Sequence, residues 1–276
     1  MFSLNCKGTL VLIEKPLVMG VLNITGDSFY AGSRLQKTDA VLLKARQMMA
    51  EGADILDIGG QSTRPGSERI SENEELERVL PVIEMLMKEP GLPILSIDTY
   101  YAAVAKEAVN AGASIVNDIS GGEMDKNMLK TVASLEVPYI CMHMKGVPET
   151  MHHDTSYEDI TREVLDFFIR KINECRIAGI KDVIVDPGFG FGKTAGHNFT
   201  LLKNLSIFTM LKKPVMAGVS RKSTIYKTLN TTVDHALNGT TVLNTLALQN
   251  GACILRVHDV KEAREVVTLF AAYANA

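Results

Sequence analysis

The side chains able to do chemistry in this chain gather at the ends of its short apolar runs. In order they are Asn23, Gln61 to Gly66, Asp98, Asn117 with Asp118, His143 with Lys145, Asp186, Ser220 to Ser223, and Arg256 with His258. Ordinary loops have no reason to place a polar group of this kind after every apolar run. Two nucleotide motifs fail on spacing. Gly192-Lys193-Thr194 has the ending of a P-loop, but the first glycine that motif needs falls at Pro187. Gly188-Phe189-Gly190 would need a dinucleotide-type glycine where Lys193 stands, so ATP and dinucleotide chemistry are both excluded. His152-His153-Asp154 imitates a metal cluster, yet adjacent histidines in a polar loop are ordinarily solvated. The cysteines, Cys6, Cys141, Cys175 and Cys253, are far apart and form no CxxC pair, which argues against a zinc site or a redox dithiol.

The elements that must position these groups are legible as a repeating pattern. Apolar runs occur at Leu17 to Leu22, Ile55 to Ile58, Ile94 to Ile97, Ser114 to Val116, Tyr139 to Met142, Val183 to Val185, Pro214 to Ala217, and Ala252 to Val257. Strands buried on both faces read this way, because a parallel sheet covered by helices has no wet side. Between the runs lie segments with helical spacing, clearest at Ile160, Val164, Leu165, Phe168, Ile172 and Cys175. Helix-like stretches close on Gly52, Gly112, Gly179 and Gly251, where a left-handed cap favours glycine. Strand and helix thus alternate with no linker or low-complexity tract. The pattern predicts one α/β domain over 1–276, a (β/α)8 TIM barrel, with a doubly wound open sheet as the rival. The residues up to Glu14 are expected to form a short hairpin closing the barrel bottom, turned at Lys7-Gly8. In a barrel the C-terminal ends of the strands converge on one mouth, so the polar groups above converge there too.

Composition narrows the partners. With 276 residues, 46% hydrophobic and 22% charged, the chain can bury a substantial core. A net charge of −3 offers no electrostatic reason for a nucleic-acid partner or an anionic membrane surface, so any anionic ligand must be held locally. No window approaches the roughly 18 apolar residues of a membrane span, and Lys7, Glu14 and Lys15 interrupt any signal-peptide core. A cytoplasmic protein is expected.

Nine segments in order resemble the dihydropteroate synthase family, over Met19 to Glu262. They begin with Met19-Gly20-Val21-Leu22-Asn23-Ile24-Thr25, the run Gly52 to Gly60, and Ser62-Thr63-Arg64-Pro65-Gly66. Next come Ser96-Ile97-Asp98-Thr99-Tyr100, Asn117-Asp118-Ile119-Ser120-Gly121, Met142-His143-Met144-Lys145-Gly146, and the run Asp186 to Thr194. Ser220-Arg221-Lys222-Ser223 and Arg256-Val257-His258-Asp259-Val260 complete the series.

The resemblance implies that 6-hydroxymethyl-7,8-dihydropterin pyrophosphate and p-aminobenzoate are joined to give 7,8-dihydropteroate and pyrophosphate. A 2-aminopyrimidinone edge wants a paired carboxylate, an amide and a cation in a dry pocket, and Asp186, Asn117 and Lys222 are those groups. Asp186 also reads as a helix cap or loop turn, and Asn117 as an Asx-turn. Asp98 would stabilise positive charge as pyrophosphate leaves, although it could equally cap the helix beginning near Tyr100. Asp57 reads as a buried support, and Phe191 as a ring beside the pterin or in the core. Arg256 and His258 would hold the pyrophosphate beside a helix N-terminus, because Asp259 and Glu262 have capping-box spacing. Mg²⁺ is the implied companion, with Asn23 as first ligand and Asp27 as a weaker one. For p-aminobenzoate the resemblance points to Phe29 and Pro65 as walls and to Ser223 near the carboxylate, with Thr63 and Arg64 closing the site. A homodimer follows by analogy. His143 lines the mouth or is a hydrogen-bonded structural histidine.

The sequence departs from the family pattern in its first two loops. Gly26 replaces a customary proline, Tyr30-Ala31 replaces a small polar and acidic pair, and Gln61 stands where glutamate is usual. A pterin-binding methyltransferase barrel would share Asp98, Asn117 and Asp186, but Arg256, His258 and the Ser62 to Gly66 loop argue against it. A non-catalytic pterin-binding paralogue would require losses among the loop residues.

Overall fold

A computed structural model describes residues 2–24, 34–62, 69–148, 151 and 155–276, with the side chains of 34–38 left undescribed. The chain opens with an antiparallel hairpin, β1 (Phe2–Cys6) and β2 (Thr9–Ile13), whose register pairs Cys6 with Thr9. Lys7 (φ 51°) and Gly8 (φ 87°) are both left-handed, the two-residue turn whose twist matches that of its strands. Asn5 N–H donates to Asp182 Oδ2 at 2.8 Å and Lys7 Nζ to the Val109 carbonyl at 2.8 Å, which fastens the hairpin across the bottom of the barrel.

Strand and helix then alternate: β3 (Leu17–Asn23), α1 (Arg34–Ala50), β4 (Ile55–Gly59), α2 (Glu72–Leu86), β5 (Ile94–Asp98), α3 (Ala102–Ala111), β6 (Ile115–Asp118) and α4 (Met128–Leu135). They continue with β7 (Tyr139–Met142), α5 (Ile160–Ala178), β8 (Val183–Asp186), α6 (Ala195–Lys203), β9 (Met216–Ala217), α7 (Ser223–Thr228), α8 (Leu237–Gln249), β10 (Ile254–Val257) and α9 (Val260–Ala274). The eight strands from β3 onward pair in parallel in the order β8-β7-β6-β5-β4-β3-β10-β9. A bridge between Val185 and Val215 joins the two ends, with Val185 N–H donating to the Pro214 carbonyl at 2.9 Å. The seam is thin because Pro214 has no N–H to give the ladder. The expected barrel is therefore present, and the open-sheet rival is not. All four helix-closing glycines have positive φ, at 93° (Gly52), 139° (Gly112), 100° (Gly179) and 95° (Gly251).

Side chains alternate across each strand, so one parity faces the helices and the other the barrel axis. Val18, Leu56, Ile97, Val116, Cys141, Val185, Ala217 and Leu255 pack outward against helices. Met19, Ile55, Ile115, Ile140, Ile184, Met216 and Ile254 point inward and form an apolar floor, sealed from below by Leu4, Cys6 and Ile13 of the hairpin. Two residues beyond this floor, on the same face, stand Asp57, Asn117, Asp186, Gly218 and Arg256, with Asp98 four residues beyond Ile94. The period of the strand itself builds a polar layer above an apolar one.

Beside this layer lies a strained acid. Glu75 of α2 is fully buried, its Oε2 accepts from Thr99 Oγ1 at 3.2 Å, and its Oε1 has no partner among the described residues. Burial pushes its carboxyl up to about 8, so the folded protein keeps a proton that the unfolded chain releases. Stability is therefore lost as pH rises from the ordinary carboxylate range through about 8. Glu75→Gln, which stays neutral, is expected to match wild type at pH 5 and to exceed it by on the order of 2–3 kcal/mol at pH 9 in denaturant unfolding. Parallel stability curves for the two proteins across that range would refute the buried-acid account.

Candidate active site

The polar layer is organised around one guanidinium. Arg256 Nε pairs with Asp57 Oδ2 at 2.7 Å and Arg256 Nη2 with Asp98 Oδ2 at 2.5 Å. Asn117 Nδ2 donates to the same Asp57 oxygen at 2.9 Å. β4, β5, β6 and β10 each supply one member, so the cluster exists only in the closed barrel. Burial opposes the charge on Arg256, but Asp57 and Asp98 outweigh it and hold the guanidinium above its ordinary range. Burial raises Asp98 to about 7 against the pull of Arg256, which leaves its proton exchangeable near neutral pH.

The alternative duties of these residues fall to their neighbours. The start of α3 is served by Thr99 Oγ1, which accepts from Tyr101 N–H at 3.1 Å, and by Asp125, which accepts from Ala102 N–H at 2.8 Å; Asp98 caps nothing. The Asx-turn of this region forms at Asp118, whose carboxylate accepts from Ser120 N–H (2.7 Å), Gly122 N–H (2.8 Å) and Tyr139 Oη (2.7 Å). Asn117 is thereby left to face the axis.

On the opposite wall stand Asp186 and Lys222. Asp186 Oδ1 accepts from Gly188 N–H at 2.8 Å, so the loop-turn reading holds for one oxygen. The helix-cap reading does not, because Thr194 caps α6 by accepting from His197 N–H at 3.2 Å. A Cβ added to Gly218 would lie 3.9 Å from Asp186 Oδ2, 4.0 Å from Lys222 Nζ and 3.9 Å from Arg256 Cβ, so these three groups surround one gap in the layer. Burial raises Asp186, with Lys222 acting against it. Burial likewise lowers Lys222 to about 8, with Asp186 acting against it. The Lys222 ammonium donates to the Phe189 carbonyl and sits 4.6 Å from the centroid of the buried Phe191 ring. A flat ring entering this gap meets the Asp186 carboxylate and the Lys222 ammonium, with the Phe191 ring beside that ammonium.

Of the remaining expected residues, Asn23, Ser223 and His258 are described. Asn23 is exposed at the end of β3, with its Oδ1 3.4 Å from a Cβ placed on Gly59 and Asp98 Oδ2 3.7 Å from the same point. Ser223 opens α7 directly after Lys222 and is partly exposed. His258 lies beyond Arg256 with Nδ1 3.0 Å from Ser220 Oγ, and burial lowers it to about 4. Phe29, Asp27, Thr63, Arg64 and Pro65 lie outside the described residues, as do His152, His153 and Asp154. Among the described residues no group of three or more His, Cys, Asp and Glu could hold a metal ion.

One expectation is corrected. α9 does begin at Val260, but the Asp259–Glu262 capping box does not form, and Asp259 makes no side-chain cap bond. Arg221 takes both its oxygens at 2.8 Å, and a bidentate charged pair outcompetes single N–H bonds. Arg256, expected beside His258 at an anion site, pairs through Nε with Asp57 and through Nη2 with Asp98, because its strand parity points it toward the barrel axis. Sequence reasoning passed over Gly218, which has no side chain to carry a signal; the parity of Met216 was the available clue. It also set Lys193 aside with the failed P-loop.

Comparison with known proteins agrees with this geometry. The profile of the family described as pterin binding enzyme matches residues 19–258. The dihydropteroate synthase of Haemophilus influenzae is 43% identical over 266 residues, 96% of each chain. That of Bacillus subtilis is 43% identical over 264 residues, 95% of this chain and 90% of its own. The Yersinia pestis dihydropteroate synthase structure with a sulfonamide drug complex superposes with a TM-score of 0.93 at 39% identity, covering 100% of both chains. The Xanthomonas albilineans enzyme in complex with 7,8-dihydropteroate gives a TM-score of 0.87 at 34% identity, over 99% of this chain and 99% of that one. No helix among the described residues is long and apolar enough to cross a membrane. Barrel, polar layer and full-length similarity coincide, and the chain belongs to the pterin-binding enzymes and, within them, to the dihydropteroate synthase family.

Proposed function

We infer that the protein joins p-aminobenzoate to 6-hydroxymethyl-7,8-dihydropterin pyrophosphate, yielding 7,8-dihydropteroate and pyrophosphate in folate biosynthesis. The observation that carries this is full-length similarity to synthases, one of them holding 7,8-dihydropteroate, in a chain whose own barrel mouth gathers Asp98, Asn117, Asp186 and Lys222. In the reaction the methylene–oxygen bond to pyrophosphate breaks, a bond from the arylamine nitrogen to that methylene carbon forms, and the nitrogen loses a proton.

The residue roles are our reading of this geometry. Asp186 accepts from the 2-amino edge of the pterin, while Asn117 and Lys222 bind its other polar positions and Phe191 flanks the ring. Asp98, ionised, stabilises the positive charge that grows on the pterin as pyrophosphate departs, and Arg256 keeps that carboxylate in place. His258, with Ser220 behind it, donates to the pyrophosphate. Asn23 suits Mg²⁺, a hard cation that takes single protein oxygens and retains waters. With Asp27 as a second ligand, the bound ion would offset charge on the leaving group. Phe29 and Pro65 wall the p-aminobenzoate slot, Ser223 meets its carboxylate, and Thr63 and Arg64 close over it. A second copy against the outer helices completes the reading, with Val242 and Leu246 exposed on α8.

The test is to mix the protein with the pterin pyrophosphate, p-aminobenzoate and Mg²⁺ and to follow pyrophosphate and dihydropteroate. Absence of pyrophosphate release with every divalent metal tried would sink the reading. Asp186→Asn keeps the shape of the side chain but removes its charge, and is expected to weaken pterin binding by about 2–4 kcal/mol in calorimetry. Unchanged affinity would reduce Asp186 to its turn with Gly188.

A further inference from the structure

Lys193 is buried, yet it belongs to none of the roles above. Its Nζ lies 2.9 Å from His143 Nδ1, 3.1 Å from the His143 carbonyl, and 3.0 Å from each of the Gly188 and Phe191 carbonyls. All four neighbours are acceptors once His143 is neutral. Burial first, and then the Lys193 charge, drive that imidazole down to about 2, so it is neutral at any working pH. Only an ammonium, with three protons to give, suits such a nest. Burial pulls its proton affinity well below the ordinary lysine range, the nearby Asp186 carboxylate acts against that, and the ring of four acceptors around Nζ is the geometric reason to assign the proton there.

The carbonyls it gathers come from the loops after β7 and β8. These loops touch backbone to backbone: a Cβ on Gly188 would fall 2.0 Å from the His143 carbonyl oxygen, and one on Gly192 would fall 2.8 Å from that of Lys145. Carbonyl dipoles turned toward one another repel unless a cation lies between them. The same short loop carries the Gly188 N–H that orients Asp186, the Phe189 carbonyl that holds Lys222, and the Phe191 ring beneath that ammonium. We propose that Lys193 is a positioning residue for pterin recognition: its ammonium gathers three backbone carbonyls and so sets the loop that aims Asp186 and seats Lys222. The inference rests on the synthase reading.

Lys193→Met removes the donors at similar length. It is expected to raise the dissociation constant for the pterin pyrophosphate about tenfold to hundredfold, measured by calorimetry without p-aminobenzoate. KM for p-aminobenzoate, measured at saturating pterin, is expected to change less than about twofold. Unchanged pterin affinity, or equal losses for both substrates, overturns the proposal. If Lys193→Met does not fold, Lys193→Arg keeps the charge on a longer planar group that cannot fill the same nest, and the same selective loss is required of it. A wild-type protein that releases no pyrophosphate defeats the synthase reading; an active wild type with unaffected variants defeats only the positioning role.

Discussion

Arg256→Met is expected to destabilise the protein by about 3–5 kcal/mol at pH 8 and to abolish measurable synthesis, because it strips the shared partner from two buried carboxylates. Asp57 is fully buried, Asp98 nearly so, and both spend an oxygen on the same guanidinium. Removing that cation leaves two like charges facing each other in a dry site. The pH dependence follows from Asp98. Its folded carboxyl already sits at about 7, above its ordinary value, so its proton favours the folded state and that contribution is lost as pH rises through about 7. Without Arg256 the carboxyl rises further. At pH 5.5 Asp98 is largely protonated in both proteins and the variant differs less from wild type; past neutrality the gap widens. Thermal unfolding of both proteins at pH 5.5 and pH 8 measures this. A deficit that is the same at both pH values would show that Arg256 acts through packing and not through charge. Adding Asp98→Asn to the variant should recover part of the stability at pH 8 while leaving synthesis absent.

Gly218→Leu should remove pterin binding while sparing the fold. The position faces the barrel axis above Met216, and its missing side chain opens the gap bounded by Asp186, Lys222 and Arg256. A Cβ there meets those groups at 3.9–4.0 Å, ordinary contact distances, so Gly218→Ala is sterically admissible. The further carbons of leucine project into the space assigned to the ring. Affinity is expected to fall at least about hundredfold, close to 2.7 kcal/mol, in calorimetry with the pterin alone. Circular dichroism and the melting temperature should stay near wild type, and Gly218→Ala should fall between the two. Full affinity in a folded Gly218→Leu protein would place the ring elsewhere in the mouth.

Much of the architecture was legible because it depends on local chemistry. The apolar runs correspond to β3 through β10, and the helix-closing glycines all adopt left-handed φ. Lys7-Gly8 turns the hairpin for the same reason: these are backbone demands that single residues meet. The mouth residues were legible too, since position along a barrel strand determines which end a residue occupies.

What the sequence could not determine is which of two buried faces looks inward. In a strand apolar on both sides, Leu56 and Ile58 give no sign that they face helices while Asp57 faces the axis. Closure of the sheet settles that, and with it the sharing of Arg256 between Asp57 and Asp98 from strands far apart in the chain. Asp259 illustrates the competition: local spacing favours a cap, but Arg221 arrives from across the fold and binds more strongly. Lys193 offers the sequence reader only the ending of a failed P-loop until the loops after β7 and β8 close around it. The amino-acid sequence by itself determined the elements and the end of the barrel where chemistry gathers, because propensity and periodicity are local. Tertiary structure alone decided which charges are paired, buried or neutral, because those energies depend on neighbours that only closure of the barrel brings together.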